Sequence, residues 1–339
     1  MDDVYPVGKL PAKDLERILS RFTGEEDDRV LVGPGIGEDA AVISFGNTAL
    51  VAKTDPITFA TDQIGWYAVH INANDIASMG AVPKWFLATL LLPEGTTTPS
   101  LVDTIFTGLN DACADLNVTL CGGHTEITHG LSRPIIIGQM LGETEADRVV
   151  SAARTQVGDE IILTKGIAIE ATALIAIEKA DQLIGEYPES FLSRCSNYLK
   201  DPGISVVKDA RIAVETGGVH AMHDPTEGGL ASGLHELAKA AGVGLLLEAD
   251  RVWILPEAET LCRRYGLDPL GTIASGALLI TADPSSTSSI IERLMDANIA
   301  AGKIGVIEEA EFGCKMKCRG KVSELPTFNR DEIGKIFEQ

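Results

Sequence analysis

A chain of 339 residues is too long for one ordinary core and suits two domains of about 150–190 residues each. Its 45 % hydrophobic and 23 % charged residues are globular usage, which excludes general disorder, and nowhere do about 18 apolar residues run uninterrupted to predict a membrane span. With 49 acidic against 28 basic residues the formal charge is −21, so nucleic-acid backbones and anionic membranes are repelled and divalent cations attracted.

The opening Met1-Asp2-Asp3-Val4 lacks the basic and apolar regions of a signal peptide, and a cytoplasmic location is expected. Six cysteines without a CxxC pair fit reduced thiols in that setting. Cys314 and Cys318 read as two buried strand cysteines, because two ligands without a second pair make no zinc site.

Leu15, Ile18, Leu19 and Phe22 fall at i, i+3, i+4 and i+7 and predict an amphipathic helix beginning near Pro11. A glycine-rich turn from Gly33 to Gly37 leads into two strands, Ala41–Ile43 and Leu50–Ala52, the second delivering Thr54 and Asp55 at its end. From Ile64 to Met79 the apolar spacing is helical, with Gly80 and Pro83 as the stop, and Asn72 and Asp75 share one face. Trp85–Leu92 is apolar on both strand faces and predicts a covered sheet; Leu101–Leu116 continues as a helix. Strands at Val118–Cys121 and Pro134–Met140 flank an expected loop, Gly122-Gly123-His124-Thr125-Glu126.

The polar stretch from Gly142 to Asp159 places a domain boundary, giving domains 1–150 and 151–339. Beyond it, strands at Glu160–Thr164, Val219–Met222, Val243–Leu247, Ala277–Thr281 and Ile304–Ile307 alternate with helices. The fold class is therefore α/β or α+β.

Acidic or polar groups recur at Gly37-Glu38-Asp39, Thr54-Asp55, Asn72-x-Asn74-Asp75, His124-Thr125-Glu126 and His223-Asp224-Pro225-Thr226-Glu227. A single loop aspartate commonly serves an Asx turn or a helix cap. Asp75 differs, because a carboxylate on an otherwise apolar helix is costly unless paired or metal-bound. An oxygen-rich, cysteine-poor donor set suits magnesium, which is anchored by a few carboxylates together with substrate phosphates. Gly33-Pro34-Gly35-Ile36-Gly37 has neither a Walker ending nor Rossmann spacing. His124 reads either as a general base or as a hydrogen-bonded loop residue, and His70 as structural.

Together, Gly35-Ile36-Gly37-Glu38-Asp39-Ala40-Ala41-Val42, Lys53-Thr54-Asp55, Asn72-Ala73-Asn74-Asp75-Ile76-Ala77-Ser78-Met79-Gly80-Ala81, Gly122-Gly123-His124-Thr125-Glu126 and Asp224-Pro225-Thr226-Glu227-Gly228-Gly229 resemble the superfamily of aminoimidazole ribonucleotide synthetase (PurM), thiamine-monophosphate kinase, selenophosphate synthetase and the HypE hydrogenase-maturation factor. The resemblance implies a PurM-like two-domain fold. Its N-terminal sheet domain would pair with a second subunit as a homodimer, its C-terminal domain would be an α/β sandwich, and ATP with Mg²⁺ would be the cofactors. By the same resemblance Asp39, Thr54, Asp55, Asp75 and Asp224 are metal ligands, and Gly37, Gly123, His124, Thr125 and Thr226 contact the nucleotide. Arg154 binds phosphate, and Asp55, His124 and Asp224 carry the catalysis.

The front half, with Gly35–Ala41 and Asn74–Ala81, is similar to thiamine-monophosphate kinase. The back half, His223–Leu230 and Ile273–Leu279, resembles HypE, which uses ATP to dehydrate a carbamoyl group on its own C-terminal cysteine. Here the last cysteine is Cys318 and the sequence ends Lys335-Ile336-Phe337-Glu338-Gln339. The implied activity is ATP-dependent phosphorylation or activation of an oxygen on a small-molecule acceptor, of the HypE type. The alternatives are a thiamine-monophosphate-kinase-like phosphotransferase and a non-catalytic ATP-binding assembly module.

Overall fold

The structure, a computed structural model, describes residues 5, 10, 12–22, 27–58 and 63–337. Met1–Val4, the helix start at Pro11 and the final residues Glu338 and Gln339 lie outside these. The chain divides into two compact units. One holds 27–33 and Asp39–Val149; the other holds Val150 onward together with Pro34–Glu38 and the first helix, α1 (Ala12–Phe22).

The first unit is built on a six-stranded sheet of β1 (Val30–Val32), β2 (Ala41–Phe45), β3 (Thr48–Ile57), β4 (Val82–Pro93), β5 (Thr119–Thr128) and β6 (Ile135–Glu145). The order is β1-β2-β3-β6-β4-β5, with β4 and β5 parallel and the other neighbours antiparallel. Two helices, α2 (Ile64–Ser78) and α3 (Pro99–Asp115), supply the crossovers and pack on each other. Pro99 opens α3, and the Thr98 hydroxyl accepts a hydrogen bond from Leu101 N, satisfying an otherwise orphan donor. Phe86, Leu90 and Leu92 on β4 are fully buried with Ile136 and Met140 on β6, each contributing about 1.5–3 kcal/mol of apolar burial. The other face of β4 is only half covered, and Trp85 is 38 % exposed.

One expectation changes here. Gly122–Glu126 is not a loop between strands but the middle of β5, paired in register with Leu87–Leu91 of β4. Gly123, at φ +150°, passes so close to β4 that a Cβ would sit 2.0 Å from the Ala88 carbonyl oxygen. Two successive glycines thus mark a close strand approach, not a turn.

The second unit carries β7 (Glu160–Thr164), α4 (Ile169–Glu178), α5 (Ala180–Leu183), α6 (Glu189–Asn197), α7 (Val207–Thr216), β8 (Val219–His223), α8 (Gly229–Ala241) and β9 (Gly244–Glu248). There follow α9 (Pro256–Tyr265), β10 (Leu279–Ala282), α10 (Pro284–Asp296), β11 (Ala301–Glu308), β12 (Cys314–Cys318) and β13 (Lys321–Glu324). Its strands order as β13-β12-β9-β11-β7-β10-β8, with β12 parallel to β9 and the rest antiparallel. Ile161 and Leu163 join Leu230, Leu234 and Leu237 of α8 in one core cluster. By strand alternation Ile162 projects to the opposite face, and α10 packs on β7 and β11. A second cluster lies among α4, α6 and α9, centred on Ile175, Cys195 and Leu261.

All six cysteines are free. Cys314 and Cys318 do lie on one strand, but Cys314 is only half-buried and Cys318 is exposed, because β12 continues into a hairpin whose outer strand β13 is solvent-facing throughout. His70 is buried on α2, its ring lies 4.1 Å from that of Trp66, and burial lowers its pKa to about 4. No helix among the described residues is long and apolar enough to cross a membrane.

Candidate metal and nucleotide site

In the first unit β3 lies between β2 and β6 and carries Lys53, Thr54 and Asp55 within the strand, which runs on to Ile57. Thr54 and Asp55 therefore sit inside the ladder and not at a strand end. Helix α2 packs over β3 and β6, and Asn72 fastens it there. The Asn72 Oδ1 accepts a hydrogen bond from Asp55 N at 2.9 Å, and its Nδ2 donates to Ala68 O at 2.8 Å. One turn further, Asp75 projects from a helix of Ile71, Ala73, Ile76 and Ala77, and its side chain is 8 % exposed. Asp39, just ahead of β2, is also buried, and one carboxylate oxygen of each aspartate comes within 4.8 Å of the other. Lys53 completes the group: its Nζ lies 3.3 Å from Asp75 Oδ1 and 3.9 Å from Asp55 Oδ2.

This arrangement suits a hard divalent ion. Oxygens sharing one octahedral magnesium stand about 3 to 4 Å apart, so Asp39 and Asp75 need only a small adjustment to hold one. All the anionic donors are carboxylate oxygens, with no thiolate or imidazole among Asp39, Asp55 and Asp75. Burial of two acids this close is electrostatically unfavourable without a counter-charge, which Lys53 supplies in part and a bound cation would supply further.

The Thr54 hydroxyl donates to Gly138 O at 2.9 Å, and strand alternation sends it to the face opposite Asp55; its lone pairs remain available to a cation. Gly123, His124 and Thr125 lie on edge strand β5, and His124 Nε2 is 3.1 Å from Glu126 Oε2 on an exposed surface. Asp55, Gly138, Ala88 and Gly123 form one row across β3, β6, β4 and β5. Three inter-strand steps separate its ends by about 14 Å. A single chain therefore does not bring His124 to Asp55. An open concavity beside β5 is lined by Ala88, Leu90, Phe106, Gly122, Gly123 and His124.

In the second unit Asp224 follows β8 directly and is 2 % exposed, and the Thr226 hydroxyl donates to Glu227 Oε2 at 3.0 Å. Arg154 is exposed at the end of a single helical turn, Ala152–Arg154. Gly37 packs on α8, where a Cβ would lie 2.6 Å from the Glu236 carbonyl oxygen, so tight packing explains a glycine there.

Three residues were given no role by the sequence reading. Lys53 stood in a quoted motif, and its neighbours at Asp55 and Asp75 become visible only when α2 is laid over β3. Glu170 opens α4, fully buried, and burial pushes its pKa up to about 7, with the charges of Glu227 and Asp331 adding to the rise and Ser275 opposing it. Asp331 accepts hydrogen bonds from the backbone N–H groups of Gly228, Ile273 and Ile333 and so ties three segments together. Burial nevertheless raises its pKa to about 6. An acid in an apolar run was the available signal for Glu170, as it was for Asp75.

The family model for the N-terminal domain of the AIR synthase related protein matches residues 37–144, and that for the C-terminal domain matches 156–316. The chain belongs to the AIR synthase related family. Asp39, Asp55 and Asp75 all fall in the first of these matches, and Glu170 and Asp224 in the second. Among curated relatives, the carbamoyl dehydratase HypE of Rhodobacter capsulatus is 27 % identical over 281 residues, covering 82 % of this chain and 78 % of its own. The selenide, water dikinase of Methanocaldococcus jannaschii is 27 % identical over 336 residues, covering 94 % of each. A solved ThiL structure, complexed with AMPPCP and TMP, superposes with a TM-score of 0.73 at 22 % identity, over 95 % of this chain and 99 % of that one. The fold of this AIR synthase related chain is thus the two-domain PurM-like one.

Proposed function

We propose that the protein is an ATP-dependent enzyme in which magnesium-held ATP phosphorylates or activates an oxygen of a small-molecule acceptor, in the manner of a HypE-like member of the AIR synthase related family. The observation that carries this reading is the buried all-oxygen group of Asp39 and Asp75 with Asp55 beside it. The named relatives, a dehydratase and a dikinase, and the nucleotide analogue in the ThiL complex support it.

In this reading Asp39, Asp55, Asp75 and Asp224 would hold magnesium, and Thr54, on the opposite face of β3, would serve a separate ion; the metal would neutralise the triphosphate and the charge that develops on phosphoryl transfer. The chain's own contribution is placement. Asn72 fixes the backbone of Asp55, the apolar packing of α2 fixes Asp75, and Arg154 adds a fixed positive charge for phosphate. Gly37, Gly123, His124, Thr125 and Thr226 contact the nucleotide, and Asp55, His124 and Asp224 act at the reacting end. A homodimer belongs to the same reading, since His124 is remote from Asp55 within one chain and the outer face of β4 leaves Trp85 exposed. The cytoplasm is the expected location, and neither nucleic acid nor membrane is an expected partner of so acidic a surface.

The dehydratase-like and kinase-like versions differ in the fate of the phosphoryl group. Incubation with Mg²⁺ and ATP, followed by phosphorus NMR, separates them. ADP and free phosphate produced only with a carbamoyl-type acceptor support the HypE-like version; transfer to thiamine monophosphate supports the kinase. ATP left intact with every acceptor tried favours the non-catalytic assembly module.

A further inference from the structure

Lys53 places an ammonium inside the carboxylate group that the reading above assigns to magnesium, and the following rests on that reading. Its Nζ is 3.3 Å from Asp75 Oδ1 and 3.9 Å from Asp55 Oδ2, and its side chain is only 21 % exposed. Lys53 and Asp55 are two apart on β3 and so share the strand face over which α2 lies. The contact is thus built by an element crossing, and is not a chance pairing of two long surface side chains.

An ammonium at that position and a magnesium ion make competing demands. A metal on Asp75 would sit about 2.1 Å from the carboxylate oxygen, inside the space now facing the ammonium, and the two positive charges repel. We infer that Lys53 is a resident counter-cation: it holds Asp55 and Asp75 together while no metal is bound, gives way when a divalent ion enters, and thereby sets the affinity of the site for magnesium. The four-carbon stem lets the displaced ammonium stay near the site, where the triphosphate is the next anion in reach. The same side chain then serves two states, pairing with carboxylate in one and with phosphate in the other. Differential interaction of this kind is what couples metal entry to nucleotide binding.

The probe is magnesium chloride alone, titrated calorimetrically into the full chain as wild type, Lys53→Met, Lys53→Gln and Lys53→Arg, followed by ATP at saturating Mg²⁺. Removing the competitor should tighten Mg²⁺ binding about five- to tenfold in both neutral variants, since a half-buried ion pair is being relinquished. It should also weaken ATP binding in Mg²⁺ by a similar factor and lower the metal-free melting temperature. Lys53→Arg, which keeps the charge, should stay within about threefold of wild type in both titrations. Lys53→Gln retains a polar partner for Asp75 and decides the matter if Lys53→Met disturbs folding. Neutral variants that bind Mg²⁺ no more tightly than a wild type that does bind it would overturn the inference and leave the magnesium reading standing. A wild type that takes up no Mg²⁺, with or without ATP, would overturn both.

Discussion

At the scale of single residues, two buried carboxyls behave differently for physical reasons. Asp75 has an ammonium 3.3 Å away, whereas burial pushes the Glu170 pKa up to about 7, with the charges of Glu227 and Asp331 adding to the rise. The sign of the consequence is fixed. A carboxyl whose folded-state pKa lies above its unfolded value keeps its proton in the folded chain after the unfolded chain has lost it. Stability therefore falls as pH rises from about 4.5 to about 7 and is level above that. For Glu170 the total is on the order of 3 kcal/mol. Urea denaturation across this range should show the Glu170→Gln variant matching wild type below pH 4.5 and gaining on it progressively up to pH 7; a constant difference at every pH would contradict the assignment. Asp75 was legible in the sequence because its neighbours on the helix are apolar. Glu170 stands in an apolar run too, but that signal is masked, because an acid in the first turn of a helix ordinarily reads as a partner for the helix dipole.

At the scale of elements, the first helices and most strands were legible because their periodicities are strong: α2, α3 and β7 fall where the apolar spacing put them. The errors have local causes. Gly122-Gly123 reads as a turn, yet the pair lets β5 run flush against β4 in parallel register. The hairpin of β12 and β13 gives little apolar signal, since its outer strand is wholly exposed. The Gly123 case can be checked directly. Gly123→Ala would put a methyl 2.0 Å from the Ala88 carbonyl oxygen, so β5 should separate from β4, with a stability loss of about 1–3 kcal/mol and faster amide exchange along Thr119–Thr128. Unchanged exchange in β5 would show that the close approach imposes no constraint.

At the scale of the whole molecule, five ordered motifs sufficed to indicate a two-domain PurM-like chain, because together they span nearly the whole sequence in the order that superfamily has them. The row from Asp55 to Gly123 and the Lys53 contacts were not readable in advance. Both depend on strand order and on a helix crossing, which no linear spacing encodes. The acceptor is likewise absent from the motifs, and the named relatives, a carbamoyl dehydratase and a selenide, water dikinase, differ in the substrate their names carry. The claim on which everything else depends is that ATP is held through magnesium on these carboxylates. Calorimetric titration of ATP into wild type and Asp75→Asn, each with Mg²⁺ and with chelator, tests it most directly. The account predicts that wild type binds ATP only with Mg²⁺ and that Asp75→Asn, still folded by circular dichroism, loses about a hundredfold or more in affinity. Binding of equal strength in chelator, or an Asp75→Asn variant indistinguishable from wild type, would contradict it.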